Sequence, residues 1–283
     1  MLKEQHVHVV GLGLMGASLA LALRGKVARI TGEDIKPEIA NSALKDGAVD
    51  EICTADRADI VVIAIPADYI GAALAKLTLK TGALVLDLGS TKSQICAQMD
   101  ALPETVQAVG GHPMCGVAEN GYTNAFPTLY AGARFVLCET KRTTEAAWHL
   151  CEQLLAAIGA SPLRMDREKH DYMAGAISHL PHLMSFALMR LAMHLSQNGT
   201  SVYELAAGGF DGATRLARTD EAMITGMFRT NAPILRELVD QLQQHLDELT
   251  ALLDDPEHLR QELDMIVEAR RNYTHEYGER LIT

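Results

Sequence analysis

The sequence lacks the cysteine spacing that a zinc site or a redox dithiol requires. Its cysteines are five in number and none forms a CxxC pair; they are Cys53, Cys96, Cys115, Cys138 and Cys151. Scattered cysteines of this kind are typical of small apolar side chains with reduced thiols. Because thiols stay reduced in the cytosol, the pattern predicts a cytoplasmic protein without a disulfide framework.

Basic residues are outnumbered as well. The 283 residues include 25 lysines and arginines against 36 aspartates and glutamates, which gives a formal net charge of −11. Nucleic acids and anionic membrane surfaces are bound through basic patches, so neither is expected as a partner. An anionic small molecule stays compatible with this charge, because it needs only a local cationic pocket.

Long uninterrupted apolar runs are also scarce. The segment 7–25 is apolar enough to resemble a signal sequence, but the KEQH before it is mixed in charge and its glycines follow a nucleotide-binding pattern. Residues 170–195 contain several histidines, and Pro181 in their middle is expected to kink a helix. Since no other run approaches the about 18 apolar residues of a membrane span, we expect a soluble chain.

A glycine pattern near the start predicts a dinucleotide-binding turn. The alternating stretch HVHVV predicts a strand, and it leads directly into GLGLMG and a helix of small residues. The first glycine permits the tight turn, the second lets the backbone approach a pyrophosphate, and the third lets helix and strand pack closely. Phosphate would bind the free N–H groups of the helix start. The expected cofactor-binding residues are Gly11, Gly13, Leu14, Met15 and Gly16.

An acidic residue follows at the distance that this motif requires. Asp34 stands at the end of the second predicted strand, in ARITGEDIK, about twenty residues after the glycines. A carboxylate there accepts a hydrogen bond from the adenosine ribose 2′-hydroxyl and repels a 2′-phosphate, so the cofactor is expected to be NAD rather than NADP. The neighbouring Glu33 is the alternative for this role.

Further strands and helices alternate through the first half of the chain. Four more apolar runs predict strands at 58–66, 82–92, 106–113 and 133–140, with helices at 68–77 and 144–159. This alternation predicts an α/β Rossmann-type doubly wound parallel sheet. Ligands bind beyond the carboxyl ends of such strands. Pro66, Ser90 and His112 are therefore expected at the cofactor crevice.

The stretch GGHPMCG isolates one titratable side chain among residues that shape the backbone. His112 is the only group in this stretch suited to moving a proton at neutral pH, since glycine and proline leave few side chains nearby. It follows the apolar part of the predicted strand 106–113, so we expect it to face the nicotinamide end of a bound dinucleotide.

The second half of the chain is predicted to be helical. Residues 1–165 are expected to form the NAD-binding domain, and residues 166–283 an all-α domain for substrate binding and dimerisation. GGFDG, at 208–212, is a turn signal. Leucines at alternating three- and four-residue steps predict a late helix, with Asn231 as N-cap: Leu235, Leu238, Leu242, Leu249 and Leu252. This helix either packs within its own domain or, as we favour, also against a second copy of the chain.

Five motifs, in this order, resemble those of the prephenate/arogenate dehydrogenases of tyrosine biosynthesis: GLGLMGASLA, DLGSTK, GGHPMCG, HDYMAGAISHLPH and GFDGATRLA. The resemblance implies an NAD-dependent enzyme that passes hydride from ring C4 of a cyclohexadiene dicarboxylate to the cofactor. The ring loses its carboxylate in the same reaction and becomes aromatic. From the long helical half we expect a homodimer through the helical domain, and we expect no metal site.

The resemblance also implies roles for individual residues. His112 takes the place of the general base, and Ser90 orients the base or the alcohol, with a helix N-cap as its structural alternative. Arg215 pairs with the ring carboxylate, for which its planar fork is suited. His182 lines the substrate pocket. His170 belongs to the same substrate-binding site but is expected behind the residues that touch the substrate. His179 lies one helical turn before His182, but no third ligand completes a metal site, so His179 is expected to bond structurally between the domains.

The sequence departs from the family at positions near the substrate's side chain. Val117 and Ala118 replace the usual threonine-glutamate pair, and Ile224 stands where tryptophan is common. The redox chemistry is unaffected, but the choice between prephenate, arogenate and a 4-amino analogue stays open, with prephenate favoured because His182 is retained. A β-hydroxyacid dehydrogenase or imine reductase, and a nucleotide-sensing regulator, are the alternative functions.

Overall fold

The computed structural model describes residues 2–117, 121–198 and 201–278. The chain divides into two compact units, Met1–Ala232 and Pro233–Thr283. The first unit contains the sheet and all of the candidate site residues. The division falls later than residue 165, because the first helices after the sheet pack on it. The predicted domain boundary at 165/166 marks the change from strands to helices in the sequence and stays a prediction.

The first unit is built on an eight-stranded sheet in the order β3-β2-β1-β4-β5-β6-β7-β8. Its strands are β1 (His6–Val10), β2 (Arg29–Glu33), β3 (Glu51–Ile52), β4 (Ile60–Ile63), β5 (Leu84–Asp87), β6 (Gln107–Pro113), β7 (Arg134–Cys138) and β8 (Ser161–Arg164). The strand order reverses between β1 and β4, which is the topological switch point of a Rossmann-type fold. The predicted fold class is confirmed.

One strand pair departs from the predicted parallel arrangement. β6 pairs with β5 in parallel as far as Val109, and then with β7 in antiparallel register, His112 opposite Val136. The described part of the connection between β6 and β7 holds a short 3-10 turn, Tyr122–Asn124, instead of a crossover helix. Without a helix to carry the chain back across the sheet, β7 returns in the opposite direction.

The core lies on both faces of the sheet. Along β4, Ile60 and Val62 pack into the cluster on one face, while Val61 and Ile63 pack into the cluster on the other. Every residue of this strand is buried, which explains why its sequence is an unbroken apolar run. Burial of each such side chain contributes about 1.5–3 kcal/mol. The sheet is therefore a rigid platform for the loops at its edge.

Nine of the described helices accompany this sheet in the first unit. They are α1 (Leu14–Leu23), α2 (Pro37–Lys45), α3 (Ala67–Leu74), α4 (Ser93–Met99), α5 (Glu145–Ile158), α6 (Arg167–Ala174), α7 (Leu180–Leu195), α8 (Gly208–Thr214) and α9 (Glu221–Thr230). Pro181 lies in the first turn of α7, directly after a wide π-helical turn, Gly175–His179. The expected irregularity is thus a π turn ahead of the proline. The predicted turn at GGFDG is wrong, because these residues begin α8.

The second unit consists of α10 (Ala232–Ala251) and α11 (Pro256–Tyr277) in its described part. The leucine pattern correctly predicts α10, with Leu252 falling just beyond its end. α11 carries exposed apolar side chains in one stretch: Leu263, Met265, Ile266 and Val267. Within the described ranges, no helix combines the length and the apolar character needed to cross a membrane.

Candidate active site

The glycine turn between β1 and α1 has a geometry that only glycine satisfies at two positions. Gly11 has a φ of +91°, and a Cβ there would lie 2.6 Å from the carbonyl oxygen of Ala64. A Cβ at Gly16 would overlap the carbonyl oxygen of Gly11. Gly13, the N-cap of α1, has nothing within 4 Å of its Cβ position. The turn is therefore tight on the sheet side and open beside the helix N-terminus, as a bound pyrophosphate requires.

Asp34 borders this turn, and Glu33 points elsewhere. The Asp34 carboxylate accepts hydrogen bonds from the backbone N–H of Leu12, at 2.8 Å, and of Lys36, at 2.9 Å. The Glu33 carboxylate instead lies 3.8 Å from Nε2 of His8. Of the two predicted candidates for the ribose, only Asp34 bonds to the glycine turn through its side chain.

The carboxyl ends of the central strands bring the other candidates to one edge of the sheet. Pro66 is the N-cap of α3, just after β4, and Ser90 is half-buried in the loop after β5. His112 lies in the part of β6 that extends beyond the end of β5. The alternative role of Ser90 as an N-cap is wrong, because Lys92 occupies the N-cap position of α4.

A buried ion pair holds the backbone next to His112. Lys92 donates to the carboxylate of Asp87 and to the carbonyl oxygen of Gly111, and both charged side chains are fully buried. Asp87 in turn accepts the backbone N–H of Gly111 at 2.9 Å. Since each buried charge is paired and hydrogen-bonded, the pair fixes Gly111 through both of its peptide groups. No pattern in the sequence predicted this pair.

His112 is hydrogen-bonded to a second histidine. Its Nδ1 lies 2.9 Å from Nε2 of His170, and Nδ1 of His170 lies 2.9 Å from a carboxylate oxygen of Asp171. Burial, reinforced by His170 and by Lys92, lowers the pKa of His112 well below its usual range. The imidazole is therefore neutral at physiological pH, the state that a general base needs.

Asp171 connects this histidine pair to the start of α4. Its carboxylate accepts the backbone N–H groups of Lys92 and Ser93, each at 2.7 Å. Burial opposes the ionisation of Asp171, but the hydrogen bonds from His170 and Ser93 outweigh it, and the pKa of the carboxyl is lowered. Both nitrogens of His170 are engaged, so the geometry places this residue behind His112 instead of against a substrate. The sequence signal for Asp171 was its position directly after His170 in HDYMAG.

His179 has a structural partner. The side-chain amide of Asn231 donates to Nδ1 of His179 and to the carbonyl oxygen of Asp171, both at 2.9 Å. Nδ1 of His179 is therefore an acceptor, and the ring proton sits on Nε2. Burial lowers the pKa of His179 to about 4, so this ring is also neutral. These contacts tie the π turn to the end of α9.

Arg215 and His182 are electrostatic neighbours. Nδ1 of His182 donates to the carbonyl oxygen of Ser178 at 2.8 Å, and burial together with the charge of Arg215 lowers the pKa of His182. Arg215 begins a short 3-10 turn that is fixed to α7, because the N–H of Ala217 donates to Oγ of Ser185 at 3.0 Å. His182 acts in turn on the pKa of His179, and His179 on that of His112. Arg215, His182, His179 and His112 thus influence one another electrostatically in this order.

The positions that depart from the family pattern lie in different places. Val117 is half-buried against the core, and Ala118 falls outside the described residues. Ile224 is buried within α9. Within residues 2–117, 121–198 and 201–278, no group of three His, Cys, Asp or Glu side chains could hold a metal ion.

A Rossmann-type sheet with a glycine turn, an acidic side chain bonded to that turn and a neutral histidine at the crevice defines the class of dinucleotide-dependent oxidoreductases. The model of the prephenate dehydrogenase nucleotide-binding domain matches residues 18–163. The model of the prephenate dehydrogenase dimerization domain matches residues 166–269. The chain belongs to the prephenate dehydrogenase family.

Individual relatives agree with this family. The prephenate dehydrogenase of Lactococcus lactis subsp. cremoris is 32% identical over 85% of this chain and 69% of its own length. The crystal structure of prephenate dehydrogenase from Aquifex aeolicus, in complex with hydroxyphenyl propionate and NAD+, superposes with a TM-score of 0.89 at 30% identity, covering 95% of this chain and 98% of that one. Synechocystis arogenate dehydrogenase superposes with a TM-score of 0.81 at 28% identity, covering 95% and 99%.

Proposed function

We propose that this protein is an NAD-dependent prephenate dehydrogenase of tyrosine biosynthesis. It oxidises ring C4 of prephenate and releases the ring carboxylate as CO2, which gives 4-hydroxyphenylpyruvate. The observation that carries this proposal is His112, a neutral imidazole held beyond the end of β5 at the dinucleotide crevice. The Aquifex structure contains hydroxyphenyl propionate and NAD+, which supports an aromatic-acid type of ligand and a nicotinamide dinucleotide for this chain as well.

The cofactor would be held by the turn after β1 and by the end of β4. Gly13, Leu14, Met15 and Gly16 offer backbone around the start of α1, beside Gly11, and Pro66 borders the next strand. Asp34 would bind the adenosine ribose. When bound, NAD accepts the hydride that leaves ring C4. The residues of this chain position the cofactor and provide the charge that selects it. They fit NAD because the glycine turn is open where the pyrophosphate must lie.

Replacing Asp34 by asparagine should weaken the preference for NAD. The amide keeps an acceptor for the N–H of Leu12 but loses the charge that repels a 2′-phosphate. We expect the ratio of kcat/KM for NAD to that for NADP to fall by about 10- to 100-fold, the equivalent of about 1.4–2.8 kcal/mol. Glu33→Gln is the matched control and should leave the ratio unchanged. A ratio unchanged in Asp34→Asn would refute the assignment.

His112 supplies the proton chemistry. Oxidation at C4 turns the hydroxyl into a carbonyl, so the hydroxyl proton must leave, and a neutral imidazole within reach accepts it. When the C1 carboxylate departs as CO2, the electrons of its bond make the ring aromatic and leave a phenolate at C4. That oxygen needs one proton, which protonated His112 returns. The base is therefore ready again after each turnover, without exchange with solvent.

Three further side chains are assigned to substrate placement. Ser90, in the loop after β5, would orient the C4 hydroxyl or the base. Arg215 would pair with the ring carboxylate through its planar fork, and His182 would line the pocket beside it. His170 stands behind His112 and would act on the substrate through that residue.

The test is a comparison of rates for prephenate and arogenate, each with NAD and with NADP. Prephenate carries a ketoacid side chain where arogenate carries an amino acid, and we expect the higher kcat/KM for prephenate with NAD. Faster turnover of arogenate would make tyrosine the direct product. No turnover of either substrate would contradict the proposed function.

We assign residues 166–283 to a helical domain through which two copies of the chain form a homodimer. The match of residues 166–269 to a dimerization domain supports this assembly, as do the exposed apolar side chains of α11, of which Met265 is 61% exposed. Sedimentation equilibrium should give twice the mass of one chain, and a monomer at micromolar concentration would contradict the assignment.

A location in the cytoplasm is supported by the five free cysteines.

A further inference from the structure

Three side chains form a continuous hydrogen-bonded chain that begins at the proposed base. His112 contacts His170, and His170 contacts Asp171, with both distances at 2.9 Å. His170 is 2% exposed and Asp171 1% exposed, so water does not compete for these bonds. A buried chain of this kind has defined hydrogen positions, because every donor must face an acceptor.

The hydrogen positions follow from the carboxylate end. Ionised Asp171 can only accept, so the hydrogen in its bond to His170 belongs to Nδ1 of His170. Neutral His170 then has its lone pair on Nε2, and the hydrogen between the two rings belongs to Nδ1 of His112. The lone pair of His112 is thereby left on Nε2, the nitrogen that is not engaged by His170.

The carboxylate is fixed independently of the histidines. It accepts the N–H groups of Lys92 and Ser93 at the start of α4, and the backbone carbonyl of the same residue accepts from Asn231. The loop that precedes α4 also carries Ser90. Asp171 therefore ties the orientation of the base to the loop that holds the proposed partner of the substrate alcohol.

We propose that Asp171, acting through His170, is a positioning residue that sets the tautomer of His112 and stabilises its protonated form. The inference rests on the proposed function of His112 as the base. When Nε2 takes the proton of the C4 hydroxyl, the ring becomes an imidazolium that still donates from Nδ1 to His170. The negative charge of Asp171 lies at the far end of the chain and favours that positive charge. Returning the proton from Nε2 to the phenolate restores the starting state.

Nuclear magnetic resonance of 15N-labelled histidine tests the tautomers without any turnover. In the protein at neutral pH, we expect the Nδ1-protonated form for both His112 and His170, assigned by comparison with His112→Asn and His170→Gln. A proton on Nε2 of His112 would overturn the inference. This outcome is independent of the substrate, so it separates a failure of the inference from a failure of the proposed function.

Asp171→Asn tests the role of the charge. We expect kcat to fall by about 10- to 1000-fold, with the affinity for NAD retained. The groups that face His112 are His170 from α6, Lys92 from the turn before α4 and His179 from the π turn. Loss of the carboxylate charge makes protonated His112 easier to deprotonate, so the acid limb of kcat/KM should move to lower pH. A residue that serves only as a helix cap would change stability and leave this limb in place, and wild-type kcat with an unmoved limb would overturn the inference.

Two substitutions at His170 decide the question if Asp171→Asn does not fold. Glutamine can accept from Nδ1 of His112 and donate to Asp171, whereas leucine can do neither. We expect His170→Leu to lower kcat by about 10- to 100-fold and His170→Gln to restore most of that loss. Equal rates for His170→Leu and the wild type would overturn the inference, even where His112→Asn is inactive.

Discussion

Replacing His112 by asparagine should lower kcat for prephenate by about 10²–10⁴-fold. The amide is close in size to the imidazole and can still contact His170, but it accepts no proton near neutral pH. The C4 hydroxyl would then lose its proton only to water. Because the base acts in the transition state and not in binding, KM and the affinity for NAD should change little.

A histidine far from the crevice provides the matched control. The side chain of His149 lies on the outer face of α5 and is 71% exposed, so His149→Asn makes the same chemical change in solvent. Its kcat should equal that of the wild type. Cofactor affinity, measured by fluorescence titration with NADH, should be the same in all three proteins. A His112→Asn enzyme with the wild-type kcat would remove His112 from the mechanism.

Replacing Arg215 by alanine should raise KM for prephenate strongly. In its proposed role the half-buried guanidinium pairs with the ring carboxylate, and the loss of such a pair costs about 2–5 kcal/mol, or roughly 30- to 5000-fold in kcat/KM. The carboxylate stays on the ring until CO2 leaves, so the arginine binds ground state and transition state alike. The effect should therefore appear mainly in KM, with a smaller change in kcat.

Two variants sharpen this prediction. Arg218 lies in the same 3-10 turn but is exposed, so Arg218→Ala should leave KM near the wild-type value. Arg215→Lys keeps the charge and loses the two-point fork, and it should recover only part of the affinity. If Arg215→Ala and Arg218→Ala behave alike, the ring carboxylate is bound elsewhere.

The central strands of the sheet could be predicted from the sequence because they are buried on both faces. β4 and β5 consist almost wholly of apolar residues, and their carboxyl ends lead to Pro66 and Ser90. The glycine turn is equally local, since Gly11 and Gly16 are required by contacts with their immediate surroundings. Patterns of this kind depend on a few neighbouring positions, which a sequence displays directly.

Other features depend on contacts between distant positions. The carboxylate of Asp171 accepts from the backbone of Lys92, which lies 79 positions earlier in the sequence. Lys92 and Asp87 look like an ordinary surface pair in the sequence, and only the fold shows that both are buried. The antiparallel return of β7 follows from a connection without a crossover helix. Sequence resemblance identified His112 and His170, and only the structure shows that they touch.

A crystal structure of the dead-end complex with NADH and prephenate tests the central claim most directly. Reduced cofactor blocks hydride transfer, so the substrate stays intact with both of its carboxylates. We expect Nε2 of His112 within hydrogen-bond distance of the C4 hydroxyl, and the guanidinium of Arg215 on the ring carboxylate of the same molecule. A complex in which these two side chains face separate cavities would contradict the account.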